Sequence, residues 1–264
     1  MSGKKLVFGN WKMHFSIAQS VSHAEKLSKK SIPSNVLVAL APHTLALTRV
    51  AEALAQSDIS TIAQNAYFKD EGAFTGEVAI SMLRGVSQYV LVGHSERRHI
   101  FHESNEQTRV KMAAAVRSGI TPILCVGETL VEREHHHTNY VLNDQLAAGL
   151  TDLTSEEVER VVIAYEPVWA IGTGKYARPD DVLAAISKIR NEIAHLYGYE
   201  AANKCKVLYG GSVDKDNASA YLVLDGVDGL LVGGASLSTA TFWPIVEAAA
   251  QIQKAAKIDK KVTK

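Results

Sequence analysis

The chain has 264 residues, of which 47% are hydrophobic, so it can bury a substantial core. Lysine and arginine together number 28, as do aspartate and glutamate, and the net charge is zero. We expect no nucleic-acid partner, because proteins that bind nucleic acids usually carry a basic surplus or stripe. An anionic ligand would have to be attracted by local groups rather than by the field of the whole molecule.

The cysteine content and the hydropathy pattern predict the compartment. Cys125 and Cys205 are too few for a disulfide framework in a chain of this length, so we expect two reduced thiols. A strand-like run begins at Leu6, so we expect no signal peptide, and no apolar run reaches the length that spans a membrane. These features predict a cytoplasmic protein without a membrane partner.

Short apolar runs recur along the whole chain and have the composition of buried strands. Most are continuous rather than alternating, which is typical of parallel strands covered on both faces. The predicted strands cover residues 5–8, 36–41, 59–63, 89–92, 120–126, 161–165, 206–209 and 229–232.

Helical patterns lie between these runs, most clearly at residues 16–30, 105–118 and 180–196. Eight strand–helix units predict an α/β fold of the closed (β/α)8 type, a TIM barrel, in a single domain over residues 1–256. A doubly wound open sheet uses the same alternation and is the structural alternative. Residues 257–264 form a polar, basic C-terminal tail that we expect to be solvated.

Polar residues cluster where three of the predicted strands end. The stretch GNWK at residues 9–12 follows the first strand, GHSERR at 93–98 follows the fourth, and YEPVW at 165–169 includes the end of the sixth. Active sites of such barrels lie at the carboxyl ends of the strands. A carboxylate, an imidazole and an amine at one rim therefore indicate acid–base chemistry there.

Glycines follow the sixth, seventh and eighth strands. Residues 170–175 contain two glycines beside Trp169, a composition that suits a hinged lid better than a dinucleotide site, because the rest of that fingerprint is missing. Glycine pairs at residues 210–211 and 233–234 follow strands seven and eight, where these barrels bind phosphate through backbone N–H groups. The pattern predicts a phosphate site.

These motifs resemble those of the triosephosphate isomerase family over residues 4–256. The resemblance implies an intramolecular oxidoreductase of glycolysis and gluconeogenesis that interconverts dihydroxyacetone phosphate and D-glyceraldehyde 3-phosphate through an enediolate. His14, Phe15 and Tyr176 differ from the residues usual in the family. The matching stretches are GNWKM at 9–13, GAFTGE at 72–77, VLVGHSERR at 90–98, AYEPVWAIGTGK at 164–175, YGGSV at 209–213 and GLLVGGASL at 229–237.

The resemblance also implies roles for individual residues. Glu166 corresponds to the catalytic base, His94 to the electrophile, Lys12 to an electrostatic anchor and Asn10 to a substrate hydrogen-bond partner. The supporting residues implied around His94 and Lys12 are Ser95 and Glu96. The implied phosphate-binding residues are Gly172, Ser212, Gly233 and Gly234.

The resemblance implies a homodimer as well, because residues 72–77 match the loop that reaches a neighbouring subunit in the family, with Thr75 near its tip. Proton transfer between neighbouring carbons oxidises nothing overall, so we expect no cofactor and no metal. The three histidines at residues 135–137 lie in a predicted polar helical stretch, where adjacent side chains cannot all face one ion.

Two other functions remain open at this point. A phosphate-binding barrel lyase would use Lys12 as a Schiff-base amine, and a barrel without catalysis would serve as a binding or scaffold protein. The presence of Asn10, Lys12, His94 and Glu166 together favours the isomerase.

Overall fold

The computed structural model describes residues 3–172 and 174–262, and side chains as far as residue 252. Eight parallel strands form a closed barrel in chain order, and β1 also pairs with β8. The predicted (β/α)8 barrel is therefore confirmed, and the open doubly wound sheet is excluded. The strands are β1 Lys5–Asn10, β2 Val36–Ala41, β3 Ile59–Ala63, β4 Tyr89–Val92, β5 Thr121–Val126, β6 Val162–Tyr165, β7 Lys206–Tyr209 and β8 Gly229–Val232.

Helices lie outside the strands and return the chain to the start of the next one. Several begin with a serine or threonine whose side chain caps the first turn; Ser16, for example, accepts a hydrogen bond from Gln19 N. The described helices are α1 Ile17–Ser28, α2 Thr44–Leu54, α3 Ser95–His99, α4 Asn105–Arg117, α5 Leu130–Glu134, α6 Thr138–Leu150, α7 Ser155–Val158, α8 Pro179–Lys204, α9 Ala218–Leu222 and α10 Thr239–Val262.

The predicted helical stretch around the three histidines is wrong in detail. It consists of α5 and α6 separated by a turn at residues 135–137. His136 has a φ of 58°, in the left-handed region, and a residue in that conformation cannot continue a right-handed helix. The long helix α8 is likewise interrupted at Gly198, where φ is 87°.

The hydrophobic core has two layers because alternate residues of each strand point to opposite faces. Leu6 and Phe8 of β1 belong to the cluster inside the barrel, whereas Val7 belongs to the cluster between the strands and the helices. None of the described helices is both long and apolar enough to cross a membrane. The last helix continues to Val262, and the proposed domain boundary at residue 256 stays a prediction.

Candidate active site

The closed barrel brings the ends of β1, β4 and β6 to one rim, and a cavity of about 380 Å³ opens there. The predicted catalytic and phosphate-binding residues lie together on its wall, although they come from all parts of the chain. Ser95 and Glu96 do not line this cavity but contact residues that do. The predicted residues on its wall are Asn10, Lys12, His94, Glu166, Gly172, Ser212, Gly233 and Gly234.

Glu166 follows β6, and its side chain is only 2% exposed. Its Oε2 accepts a hydrogen bond from the backbone N of Ser95 at 2.9 Å, and its Oε1 lies 3.1 Å from Nε2 of His94. These contacts offset the cost of burying a carboxylate. Gly127 is required beside it, because a Cβ at that position would lie 1.8 Å from the carbonyl oxygen of Glu166.

His94 follows β4 and caps the first turn of α3, which determines where its proton lies. Its Nδ1 accepts a hydrogen bond from the backbone N of Glu96 at 3.2 Å, so Nδ1 carries no hydrogen. The ring is then the neutral tautomer with its hydrogen on Nε2. That hydrogen can be donated to Oε1 of Glu166, 3.1 Å away; the nearby Nδ2 of Asn10, at 3.3 Å, is itself a donor and does not accept it.

Lys12 follows β1 and has a φ of 51°, a left-handed conformation that is disfavoured for residues with side chains. Its backbone N donates to Oδ1 of Asn10 at 3.0 Å, and its carbonyl oxygen accepts from Gln64 at 2.8 Å. Its Nζ lies 2.6 Å from Oε1 of Glu96, while a quarter of the side chain stays exposed. The ammonium group is thus held at the cavity wall.

The half of the cavity where phosphate binding is predicted is formed by the loops after β6, β7 and β8. Gly172 has a φ of 68°, and the hydroxyl of Ser212 donates to the carbonyl oxygen of Ala170. A Cβ at Gly233 would lie 3.7 Å from Cε of Lys12, so the β8 loop and the lysine meet on the same wall. Glycine N–H groups next to a fixed ammonium suit a phosphate monoester.

Side-chain hydrogen bonds attach both ends of the predicted lid, residues 168–176, to the barrel. At its start, Nε1 of Trp169 donates to Oε1 of Glu128 at 3.0 Å, and burial raises the pKa of that carboxyl group. At its end, the hydroxyl of Tyr176 donates to Oδ2 of Asp214 at 3.2 Å, and directly after it the carbonyl oxygen of Ala177 accepts from the hydroxyl of Tyr221 at 2.8 Å. Tyr176, which departs from the family pattern, therefore contacts the loop after β7.

Behind His94 lies a buried cluster of charged side chains around Glu103 that the sequence motifs do not predict. Glu103 accepts hydrogen bonds from Arg97, from Lys111 at 3.0 Å and from the backbone N of Gly93 at 3.3 Å. Lys111 also donates to Asn65 at 2.8 Å. Helical periodicity could have indicated it, because Lys111 falls on the buried face of α4 beside Met112 and Ala115.

Within the described part of the chain, no group of three or more His, Cys, Asp or Glu side chains could hold a metal ion. The rings of His135 and His137 lie 6.0 Å apart in the turn between α5 and α6.

A closed (β/α)8 barrel with a buried carboxylate next to an imidazole, an ammonium group and glycine-rich loops is typical of barrel enzymes that perform acid–base chemistry on a phosphorylated small molecule. The family model described as Triosephosphate isomerase matches residues 5–249. The chain belongs to the triosephosphate isomerase family.

Curated relatives named Triosephosphate isomerase match nearly the whole chain. The protein from Carboxydothermus hydrogenoformans is 45% identical over 247 residues, covering 92% of this chain and 98% of that protein. The protein from Clostridium perfringens strain SM101 is 44% identical over 242 residues, covering 91% of this chain and 98% of that protein. The protein from Chlamydia trachomatis is 43% identical, covering 92% and 89% respectively.

Proposed function

We propose that this chain interconverts dihydroxyacetone phosphate and D-glyceraldehyde 3-phosphate by proton transfer through an enediolate, a step of glycolysis and gluconeogenesis. The observation that carries the proposal is the contact between the buried carboxylate of Glu166 and the Nε2–H of His94. Both groups line a cavity that also presents Lys12 and the glycine-rich loops. Family membership supports the same reaction.

Glu166 is the proposed base, and its two hydrogen bonds indicate how it becomes available. Without substrate, its oxygens accept from Ser95 N and from Nε2 of His94. A substrate carbonyl oxygen that takes the hydrogen bond of His94 releases Oε1 from that contact. The freed oxygen can then remove the proton from the neighbouring carbon, and the same carboxylate returns it to the other carbon.

The negative charge that develops on the enediolate oxygen is stabilised by two groups already in place. His94 is neutral and can donate its Nε2 hydrogen, and Lys12 supplies positive charge on the same wall. Such fixed groups need little reorganisation when the proton moves. The proposed roles of Asn10 and Glu96 are to hold them, since Asn10 accepts from Lys12 N and Glu96 contacts both side chains.

The proposed phosphate-binding residues are Gly172, Ser212, Gly233 and Gly234, all on one side of the cavity. Binding the phosphate at a distance from the reacting carbons supplies free energy that can drive closure of the lid and position the carbon against the base. Closure also excludes water, which strengthens the interactions of the charged groups.

The lyase alternative is disfavoured by the environment of Lys12. Its Nζ lies 2.6 Å from Oε1 of Glu96, so the amine is engaged in an ion pair rather than left free to attack a substrate carbonyl. Borohydride reduction in the presence of substrate distinguishes the two reactions. An isomerase leaves no covalent adduct on Lys12, whereas a Schiff-base lyase leaves one.

The test of the proposed function compares the wild-type protein with Glu166→Gln in an assay of isomerisation containing a chelator. Glutamine keeps the shape but cannot accept the proton, so kcat should fall by roughly three orders of magnitude with little change in KM. Wild-type activity that is lost in the chelator and restored by a divalent ion contradicts the reaction as proposed. A variant that retains a tenth of wild-type kcat places the base elsewhere.

We also propose a homodimer in which residues 72–77 of one subunit enter a second cavity of its partner. That cavity, about 310 Å³, is lined by Lys12 and His94 and by the apolar Met13 and Phe101. Met13 is 94% exposed and Phe101 is 65% exposed, which is unusual for apolar side chains beside a catalytic cation.

The cytoplasm is the proposed compartment, because both cysteines are free and buried.

A further inference from the structure

His23 is a buried imidazole to which the proposed chemistry gives no role. It lies on the inward face of α1 and is only 7% exposed. Its ring packs against Trp11, with 5.1 Å between ring centroids, and against Phe15, with 5.4 Å. Trp11 and Phe15 also pack edge to face at 5.6 Å. His23 thus contacts the loop after β1 on both sides of Lys12.

The same ring is hydrogen-bonded to the loop after β8. Its Nε2 lies 2.9 Å from the backbone carbonyl oxygen of Ser236, and because a carbonyl oxygen only accepts, Nε2 donates. The hydroxyl of Ser236 donates to the carbonyl oxygen of Gly233 at 2.7 Å and lies 3.4 Å from that of Asn10. A short chain of hydrogen bonds therefore connects the imidazole to a glycine of the proposed phosphate site.

The protonation state of His23 suits this role. Burial lowers its pKa, and the charge of Lys26 lowers it further, against the hydrogen bond to Ser236, which raises it. A neutral imidazole has a single N–H, and here it is directed to the loop after β8. The β1 loop needs support from its surroundings, because both Lys12 and Phe15 have positive φ values, 51° and 71°.

We propose that His23 is a positioning residue of the active site. It joins the loop that presents Lys12 to the loop that presents Gly233 and Gly234, and so sets the distance between the ammonium group and the phosphate-binding N–H groups. The inference rests on the proposed function, because it assumes that these two loops bind the phosphate of the substrate.

The test uses two substitutions at the same position. His23→Phe keeps an aromatic ring for the packing against Trp11 and Phe15 but has no N–H for Ser236. His23→Gln has an N–H donor but no ring. The matched control is Ser20→Ala, because Ser20 is also buried on α1 and its hydroxyl has no hydrogen-bond partner among the described residues.

We expect His23→Phe to raise KM for the triose phosphate and the dissociation constant of inorganic phosphate together, by about three- to tenfold, the range that loss of one hydrogen bond spans. The kcat should change less than the dissociation constant of phosphate, since Glu166 and His94 are untouched and Lys12 keeps its ion pair with Glu96. His23→Gln should recover part of the phosphate affinity, and Ser20→Ala should match the wild type. If His23→Phe does not fold, His23→Met, which is flexible enough to fill the site, takes its place.

Phosphate affinity is measured by calorimetry, which needs no turnover, so the result can be interpreted even if the wild-type protein does not isomerise triose phosphates. Wild-type phosphate affinity in His23→Phe or its substitute, with only a loss of stability in urea, overturns the proposal. A His23→Gln variant that binds phosphate no better than His23→Phe also overturns the proposal, because the hydrogen bond to Ser236 then has no effect on phosphate affinity. Absence of isomerase activity in the wild type contradicts the proposed function instead.

Discussion

Glu103 shows how single residues behind the cavity hold the loop that carries His94. Its side chain is 2% exposed and joins Arg97 and Lys111 to the backbone of Gly93, directly before His94. Removing one partner of a buried ion pair leaves the other charge uncompensated. The loop that carries His94 therefore depends on a carboxylate that does not line the cavity.

The substitution Glu103→Gln should lower the free energy of unfolding at pH 7 by about 3–5 kcal/mol, because it leaves the buried Lys111 without a counter-charge. Urea unfolding measures this value. The exposed Glu106, which pairs with Arg109, is the control, and Glu106→Gln should change stability little. Equal effects of the two substitutions on the free energy of unfolding would contradict the role of Glu103 as the buried counter-charge of Lys111.

The contribution of Glu103 to the stability of the fold depends on pH in a defined direction. Burial alone raises the pKa of Glu103, but the charge of Lys111 and the hydrogen bonds from Arg97 and Lys111 outweigh it, so the pKa lies below its ordinary value of 4.5. A lowered pKa stabilises the fold above pH 4.5, and this stabilisation is lost as the pH falls further. The difference in stability between wild type and Glu103→Gln should therefore shrink below pH 4.5.

For single residues, the sequence indicated which of them line the cavity but not how their side chains are oriented. Motif positions placed His94 and Glu166 on one rim, because parallel strands end at the same edge of a barrel. The hydrogen on Nε2 of His94 follows from the capping of α3 by its own ring, which spacing does not predict. His23 acts through a hydrogen bond to Ser236, 213 residues away, which no local pattern identifies. The partners of Glu103 lie within ten residues, but only the fold shows that they enclose it behind His94.

Among the elements, strands were predicted better than helices for a physical reason. A parallel strand buried on both faces is a continuous apolar run, and its ends coincide with the ends of the run. β2, β3, β4, β7 and β8 begin and end where the composition predicts. Helix ends depend on backbone conformation instead, as at His136 and Gly198, where a positive φ interrupts the helical pattern.

The predicted lid, residues 168–176, has a second expected function, which is to keep the enediolate from losing its phosphate. An enediolate that carries a phosphate on the next carbon can expel it as inorganic phosphate, leaving methylglyoxal. Expulsion requires the bridging C–O bond to leave the enediolate plane, which a closed lid holding the phosphate would prevent. Deletion of residues 171–174 should lower kcat for isomerisation by about a hundredfold and raise the fraction of turnovers that release phosphate.

Two assays on one sample, for isomer and for inorganic phosphate, measure this fraction. Tyr176→Phe loses only the hydrogen bond to Asp214 and keeps the backbone N–H groups of the lid, so it should release no additional phosphate. A deletion that slows isomerisation without added phosphate release would show that the lid only positions the substrate.

At the scale of the whole molecule, the proposed dimer makes activity depend on association. Thr75→Arg places a bulky charge at the tip of the loop that would enter the partner. We expect this variant to be monomeric and its kcat/KM to fall by about a hundredfold, since a displacement of about 1 Å at Lys12 has an effect of that size. Tyr199→Arg is the control, because Tyr199 is 81% exposed on α8 and lies outside the proposed interface.

Light scattering at the assay concentration gives the oligomeric state. A fully active monomer, in the wild type or in Thr75→Arg, would contradict the link between the interface and Lys12.

Closure of the barrel by the first and last strands also has a consequence for how the protein is made. β1 pairs with β8 through Leu6 and Gly229, among other residues, so Lys12 meets Gly233 only after nearly the whole chain has been synthesised. A nascent chain that ends before β8 leaves β1 and β7 as unpaired edges, which invite pairing with other chains. Ribosome-bound intermediates should therefore lack the complete cavity until β8 and the loop after it emerge.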